Sequence, residues 1–417
     1  MNRPSERSLL LLLASVQFVH VVDFMIMMPL GPQLMRDLNI GPGRFSALVA
    51  AYTISSAITG LVAAPFLDRF DRRKLLLFFF AGFTVGTLSC ALAHNSAALL
   101  VARALSGAFG GLSTSLILAI VGDVVPAERR AAGLGIVMTA FSAAAALGVP
   151  MGLQLAEMYR WEMPFFMLAA LAAVIWTMVW LRLPELTGHL KEGRAGAQHA
   201  FGLLMRDANA GWALLFMSML VLGHFTIIPL LSTYLVFNTG FPEKYLFLAY
   251  FVGGALTVFS GPYIGKLADR LGRFRTLACL MVVACMVILA LSHAGRTPMW
   301  LTLALVGGFF IFSSGRFVPG QAIMTLAVPA SRRGAFMSLS GCARDLAAGV
   351  ASTLGGWIVF RAPSGELMNF TWLGWVAVIA SWLSVWIASF VRIDDTAPAV
   401  HALQPIADKT PELVGEP

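Results

Sequence analysis

Ala64-Pro65-Phe66-Leu67-Asp68-Arg69-Phe70-Asp71-Arg72-Arg73-Lys74 and Gly265-Lys266-Leu267-Ala268-Asp269-Arg270-Leu271-Gly272-Arg273-Phe274-Arg275 are two versions of one pattern. Asp68 stands in register with Asp269, Arg69 with Arg270, and Arg72 with Arg273. A second pair, Pro126-Ala127-Glu128-Arg129-Arg130 and Pro329-Ala330-Ser331-Arg332-Arg333, repeats over a similar interval. An Asp at a helix end beside arginines can accept from free backbone N–H groups and from guanidinium forks. Each copy lies between long apolar runs, so the chain reads as a duplicated unit.

The runs set the fold class. The 417 residues are 58% hydrophobic and 12% charged, with mean hydropathy +0.80, against roughly 25% charged residues in a soluble chain. Runs long enough to span a bilayer, about 20 residues each, fall near 8–32, 45–67, 75–93, 97–122, 131–157 and 163–183. Six more fall near 212–237, 246–268, 276–294, 299–329, 335–360 and 371–391. The sequence therefore predicts an all-α integral membrane protein with twelve transmembrane helices in two pseudo-symmetric six-helix bundles. Residues 1–183 form the first bundle, 184–211 a cytoplasmic linker, 212–391 the second bundle, and 392–417 a polar tail expected to be disordered. The first run is too long for a cleaved leader and holds Asp23, so it reads as a retained span.

Alternate connections differ in charge. Arg3, Arg7, Arg69, Arg72, Arg73, Lys74, Arg129, Arg130, Lys191, Arg194, Arg206, Arg270, Arg273, Arg275, Arg332, Arg333, Arg392 and Lys409 fall on one set. Only Arg36, Arg44, Arg160, Lys244, Arg296 and Arg361 fall on the other. By the positive-inside rule both termini and the linker are expected in the cytoplasm. The net charge of +8 is spread over these short connections, which argues for topology signals and against a nucleic-acid surface. Cys90, Cys279, Cys285 and Cys342 lie inside apolar runs without a C-x-x-C spacing, so neither a disulfide framework nor a metal site is indicated.

Within the first run, Gln17, His20 and Asp23 recur every third residue and share one helix face. Asp23 is flanked by Val21, Val22, Phe24, Met25 and Ile26. An ionised carboxylate at mid-membrane is costly and is usually functional or ion-paired, and such a group suits proton uptake and release. Arg103 in the fourth run needs a partner and is the attractive candidate for Asp23. Gly107 and Gly111 beyond it form a G-x-x-x-G that admits another helix closely, and Gly148 with Gly152 around Pro150 forms a second one in the fifth run. In the second half His224 stands 201 residues after Asp23 and is a further proton-relay candidate. Arg316, Arg344 and Asp345 are buried polar candidates; sequence neighbours point about 100° apart on a helix, so Arg344 and Asp345 need not pair. Gln17, Tyr52, Gln154, Tyr234 and Gln321 offer hydrogen bonds to a ligand, while Phe24 and Met27 offer adaptable apolar contact.

Over essentially its whole length the chain resembles the major facilitator superfamily. Leu67 to Lys74 is similar to the family's signature between spans two and three. Gly265 to Arg275 is the fuller copy, since Ala64 and Asp71 replace two of the usual glycines in the first. The resemblance implies that Asp68, Arg69, Arg72, Arg129, Asp269, Arg270 and Arg273 form the cytoplasmic gate. Arg103 with its small-residue run resembles the fourth-span motif. Gly148-Val149-Pro150-Met151-Gly152 resembles the Gly-Pro motif associated with antiporters, with Val149 interrupting it. Asp123 to Arg130 and Arg160 to Phe166 also look like the drug:proton antiporter branch.

The function expected is proton-coupled secondary active export of a small, partly apolar organic compound by alternating access. Proton symport or facilitated import of a metabolite is the alternative, and a non-transporting sensor of the same fold a third reading. An enzyme is disfavoured: there is no G-x-x-x-x-G-K-[ST] and no H-E-x-x-H, and the longest connection, Pro184 to Ala210, is too short for a catalytic domain. The expected partners are a small-molecule substrate, protons and the lipid bilayer, with no cofactor and no nucleic acid. A monomer in a bacterial inner membrane is expected.

Overall fold

Inside a bilayer every backbone N–H and C=O must find its partner within the protein, and helices achieve this span by span. The structure, a computed structural model, describes residues 5–63, 69–126, 129–187, 202–204, 206–329 and 332–393. Among them eleven helical segments are long and apolar enough to cross a membrane. In order they are Glu6–Ile26, Pro42–Ala63, Arg72–Ala91, Ser96–Val124, Ala132–Met158, Met163–Arg182, Ala208–Phe237, Glu243–Leu271, Arg273–Ser292, Met299–Leu326 and Phe370–Ala388. The remaining one, Arg333–Ile358, stands eleventh along the chain and is 26 residues long. Glycines, serines, Arg344 and Asp345 lower its hydropathy. It needs less apolar surface because it packs along Pro42–Ala63 instead of facing lipid alone. These twelve are the spans, numbered below in chain order.

Local chemistry sets where the helices begin and break. Asp71 caps span three by accepting from Arg73 N at 2.9 Å, and Asn95 caps span four through Ala98 N at 2.8 Å. Asp207 caps span seven through Asn209 N at 2.9 Å, so that helix starts at Ala208, inside the stretch expected to be linker. The first run, expected as one span over 8–32, stops at Ile26 and restarts as the short helix Gly31–Asp37. Pro29 between them has no N–H to continue the ladder. Span seven breaks in the same way into Ala208–Phe225 and Ile228–Phe237, with Pro229 in the first turn of the second piece. Spans five and ten each contain a π-helical turn, at Ala144–Gly148 and Phe309–Ser314. The first precedes Pro150, which cannot donate to the preceding turn. Residues 188–201 of the linker and 394–417 of the tail lie outside the described residues.

Small residues let the two halves approach. A side chain at Gly356 of span eleven would meet Ser46 Cβ at 2.6 Å, and one at Gly60 of span two would meet Cys342 Sγ at 2.6 Å. Gly254 of span eight lies against the Ala145 carbonyl of span five, where an added Cβ would stand at 2.7 Å. On the outside, Trp372, Trp375, Trp382 and Trp386 of span twelve are exposed, as lipid contact requires. A short antiparallel hairpin, Phe360–Arg361 with Leu367–Met368, joins spans eleven and twelve.

Candidate functional site

In the first half a group of buried polar side chains gathers around Arg103. Span four carries it into the bundle interior, wholly shielded from solvent together with Asp23 of span one. Arg103 Nη1 donates to Asp23 Oδ2 at 2.9 Å and to the Asp23 carbonyl at 3.3 Å. Thr87 of span three donates to the other carboxylate oxygen at 3.1 Å. The guanidinium lies over the Tyr52 ring, 4.4 Å from its centroid, a cation–π contact strengthened by the absence of water. Tyr52 Oη lies 2.9 Å from His20 Nδ1, so three spans tie His20, Tyr52, Arg103 and Asp23 into one network, and Thr87 joins it from span three. Gly107 makes this possible, since span four passes directly over the Tyr52 main chain there. Gly111 faces Ser56 one turn further on. Gly148 and Gly152 of span five face Val22 and Ile26, on either side of Asp23 along span one.

The second half is built differently. Arg316 of span ten is also wholly buried, but its neighbours are neutral. Its Nε donates to the Ser313 carbonyl at 3.0 Å, and Nη1 to Ser381 Oγ at 2.7 Å and Met281 Sδ at 3.0 Å. His224, in span seven near the place that Asp23 holds in span one, lies 3.1 Å from Ser313 Oγ through Nδ1. Its ring stacks on Phe309 at 5.3 Å.

The other sequence candidates fall in three places. Phe24 lies between the halves, 5.6 Å from the Tyr52 ring and 5.8 Å from the Phe225 ring of span seven. Asp345 also bridges them, accepting a hydrogen bond from Ser56 Oγ of span two and leaving Arg344, half-buried, without it as an ion-pair partner. Gln17 exchanges hydrogen bonds with Thr114 at 3.1 and 3.2 Å, and Gln321 reaches only Met337 Sδ at 3.7 Å. Three further candidates sit in different surroundings. Met27 is fully buried. Tyr234 donates to the Ser292 and Ala294 carbonyls at 3.2 and 2.6 Å and stacks on Phe370, so its hydroxyl serves packing. Gln154 is exposed and lines a cavity of about 160 Å³ at one end of the molecule, with Gln33, Glu157 and Glu243.

That end holds a contact that loop composition alone conceals. Arg36, after span one, grips Glu243, the first residue of span eight, with two bonds of 2.6 and 2.8 Å. The Glu243 carboxylate raises the pKa of Arg36 above its ordinary value. At the opposite, basic end Arg72 pairs with Asp123 at 3.1 Å and Arg129 with Glu6 at 2.9 Å, both within the first half. Asp269 and Arg270 are exposed there, Arg69 is exposed and Arg273 half-buried, and Asp68 lies outside the described residues. The two copies of the loop turn differently: Gly272 adopts φ 88° between spans eight and nine, whereas Asp71 at the matching position acts as a helix cap and also accepts from Leu186 N at 3.0 Å.

A family model described as Major Facilitator Superfamily matches residues 13–317 of the chain. The chain belongs to the Major Facilitator Superfamily. It is 26% identical over 361 residues to the uncharacterised MFS-type transporter YceJ of Bacillus subtilis (strain 168), spanning 86% of this chain and 91% of that one. A probable sugar efflux transporter of Helicobacter pylori (strain P12) is 25% identical over 238 residues, 57% of this chain and 60% of its own. The bacterial homologue of the human lysosomal transporter Spinster, inward-facing and unoccupied, superposes with TM-score 0.68 at 14% identity, over 94% of this chain and 95% of that one. This superfamily member is thus an integral membrane transporter, and transporters of its family take small-molecule substrates.

Proposed function

We propose that the protein is a proton-coupled secondary transporter that exports a small, partly apolar organic compound by alternating access. The observation that carries this reading is the buried Asp23–Arg103 pair, bonded at 2.9 Å with Thr87, Tyr52 and His20 around it. A buried carboxylate that can trade its guanidinium for a proton supplies a two-state element that both a proton gradient and a substrate can bias. Arg103 would hold the deprotonated form, and the Tyr52 ring would keep the guanidinium when protonated Asp23 lets it go. His224 is the corresponding polar group of the second half.

The same reading assigns 1–183 and 212–391 to two bundles that rock about the seams of spans two with eleven and five with eight. It places both termini and the 184–211 linker in the cytoplasm of a bacterium, with the protein in the inner membrane as a monomer. Arg36 and Glu243 then close the outer face. The basic loops with Asp68, Arg69, Arg72, Arg129, Asp269, Arg270 and Arg273 form the inner gate. The export direction draws on the Gly148 to Gly152 motif and on the efflux relative.

The test is collapse of a preformed pH gradient in inside-out vesicles on adding candidate substrates, wild type beside Asp23→Asn and empty vesicles. Substrate-driven proton release with wild type and none with Asp23→Asn is the expected result. Solute flux without proton movement, or equal proton release in the variant, would remove Asp23 from the mechanism and favour a facilitator.

A further inference from the structure

The second half carries a positive charge that no described residue neutralises. Arg316 bonds a carbonyl, a hydroxyl and a thioether, all neutral, and its Nη2 has no hydrogen-bond partner among the described residues. Among the described residues no carboxylate lies within ion-pair distance of it. Asp23 of span one and Asp345 of span eleven are engaged elsewhere: Asp23 with Arg103 and Thr87, Asp345 with Ser56. A guanidinium does not shed its proton in proteins, so the charge stays. A buried charge without a counter-charge is strongly unfavourable, and inside a membrane such residues mark ligand or ion paths.

The surroundings indicate what form the missing counter-charge takes. Ser313, whose carbonyl accepts from Arg316, also places its hydroxyl against His224. The His224 ring is packed edge-on by Phe317 and Phe225. Phe225 in turn meets Phe24 of span one at 5.8 Å, so aromatic rings run from beside Arg316 to the boundary between the halves. A guanidinium with an unused donor suits a carboxylate, and rings suit an apolar, flat body.

We infer that Arg316 is the anion-binding residue of the substrate site, and that the substrate is an organic carboxylate with an aromatic or similarly apolar body. The carboxylate takes the free Nη2 donor, and the body lies among Phe225, Phe317 and Phe24. The inference rests on the transport reading above and narrows its substrate to one class.

Binding is measured apart from transport. Purified full-length protein in detergent is melted with benzoate or 1-naphthoate, and with the matched amides and benzylic amines at equal concentration. The carboxylates are expected to raise the melting temperature while amides and amines do not. Arg316→Gln should raise the half-saturating naphthoate concentration about 30-fold or more, as truncating one partner of a buried charge pair does, and Arg316→Lys should restore part of it. Equal stabilisation by amides or amines, no response to any carboxylate, or an unchanged carboxylate response in Arg316→Gln would each overturn the inference. Should Arg316→Gln not fold, the wild-type ranking of the three charge classes decides alone. Detergent binding needs no proton gradient: carboxylate binding retained in an Asp23→Asn protein that moves no protons supports this inference whatever becomes of the coupling step. Proton-coupled export of amines by wild type would sink the carboxylate and leave the coupling step intact.

Discussion

Arg103 and Arg316 occupy fourth spans of the two halves, both wholly buried, and differ in one respect. Arg103 has an internal carboxylate at 2.9 Å; Arg316 has hydroxyl, carbonyl and sulfur. The first arrangement is a closed pair whose charge can be rearranged by a single proton. The second has no carboxylate of its own among the described residues, which on the inference above leaves its charge to be met by a ligand. A duplicated fold thus provides two copies of one scaffold position, and the residue opposite each arginine decides what it can do. His224 stands near the position that Asp23 holds, and an imidazole cannot supply the negative charge.

Breaking the closed pair should have the largest effect. Arg103→Ala leaves Asp23 as a buried carboxylate without its cation, and a loss of about 3–5 kcal/mol in stability is expected. Melting of purified protein checks this. The double variant Asp23→Asn with Arg103→Gln should recover much of the loss, and simple additivity in the double-mutant cycle would show that the pair contributes nothing as a pair.

Building a closed pair in the second half is the converse experiment. Ser381→Asp sets a carboxylate at the position that now meets Arg316 Nη1 at 2.7 Å. Naphthoate binding should fall about 10-fold or more, because an internal anion competes for the same guanidinium. A calorimetric titration showing unchanged affinity would contradict the comparison.

A smaller effect is expected from the scaffold beneath Arg103. Gly111→Leu pushes span four off Ser56 and lifts Tyr52 from the guanidinium, with an overpacking cost of about 1–3 kcal/mol in melting experiments. The smallest belongs to the cross-half pair at the molecule's end. Arg36 keeps 44% of its side chain exposed, so Glu243→Gln should cost only about 0.2–1 kcal/mol in stability. Its effect should appear instead as greater labelling of a cysteine placed at Gln33, measured with an impermeant thiol reagent. Unchanged labelling would deny the pair a role in closure.

Composition, the paired loop motifs and the spacing of apolar runs determined the membrane fold and its duplication, because apolar length and charge asymmetry are local properties of the chain. Pro29 and the Gly pairs were visible as well, although the run over 8–32 did not reveal that its helix stops at Ile26. The partner of a buried charge is a different kind of fact. Asp23 and Arg103 are 80 residues apart in sequence, and Ser56 and Asp345 are 289. Tyr234 and Gln154 looked equivalent to Tyr52 as ligand candidates, since residue type cannot show whether a hydroxyl or amide faces a neighbour's carbonyl or open space. The bond between Arg36 and Glu243 hid among loop charges that served only as topology signals. Only the packing of the helices could show that Arg103 has a counter-ion and that Arg316 has none among the described residues, because that difference depends on which side chains distant spans bring within three ångströms.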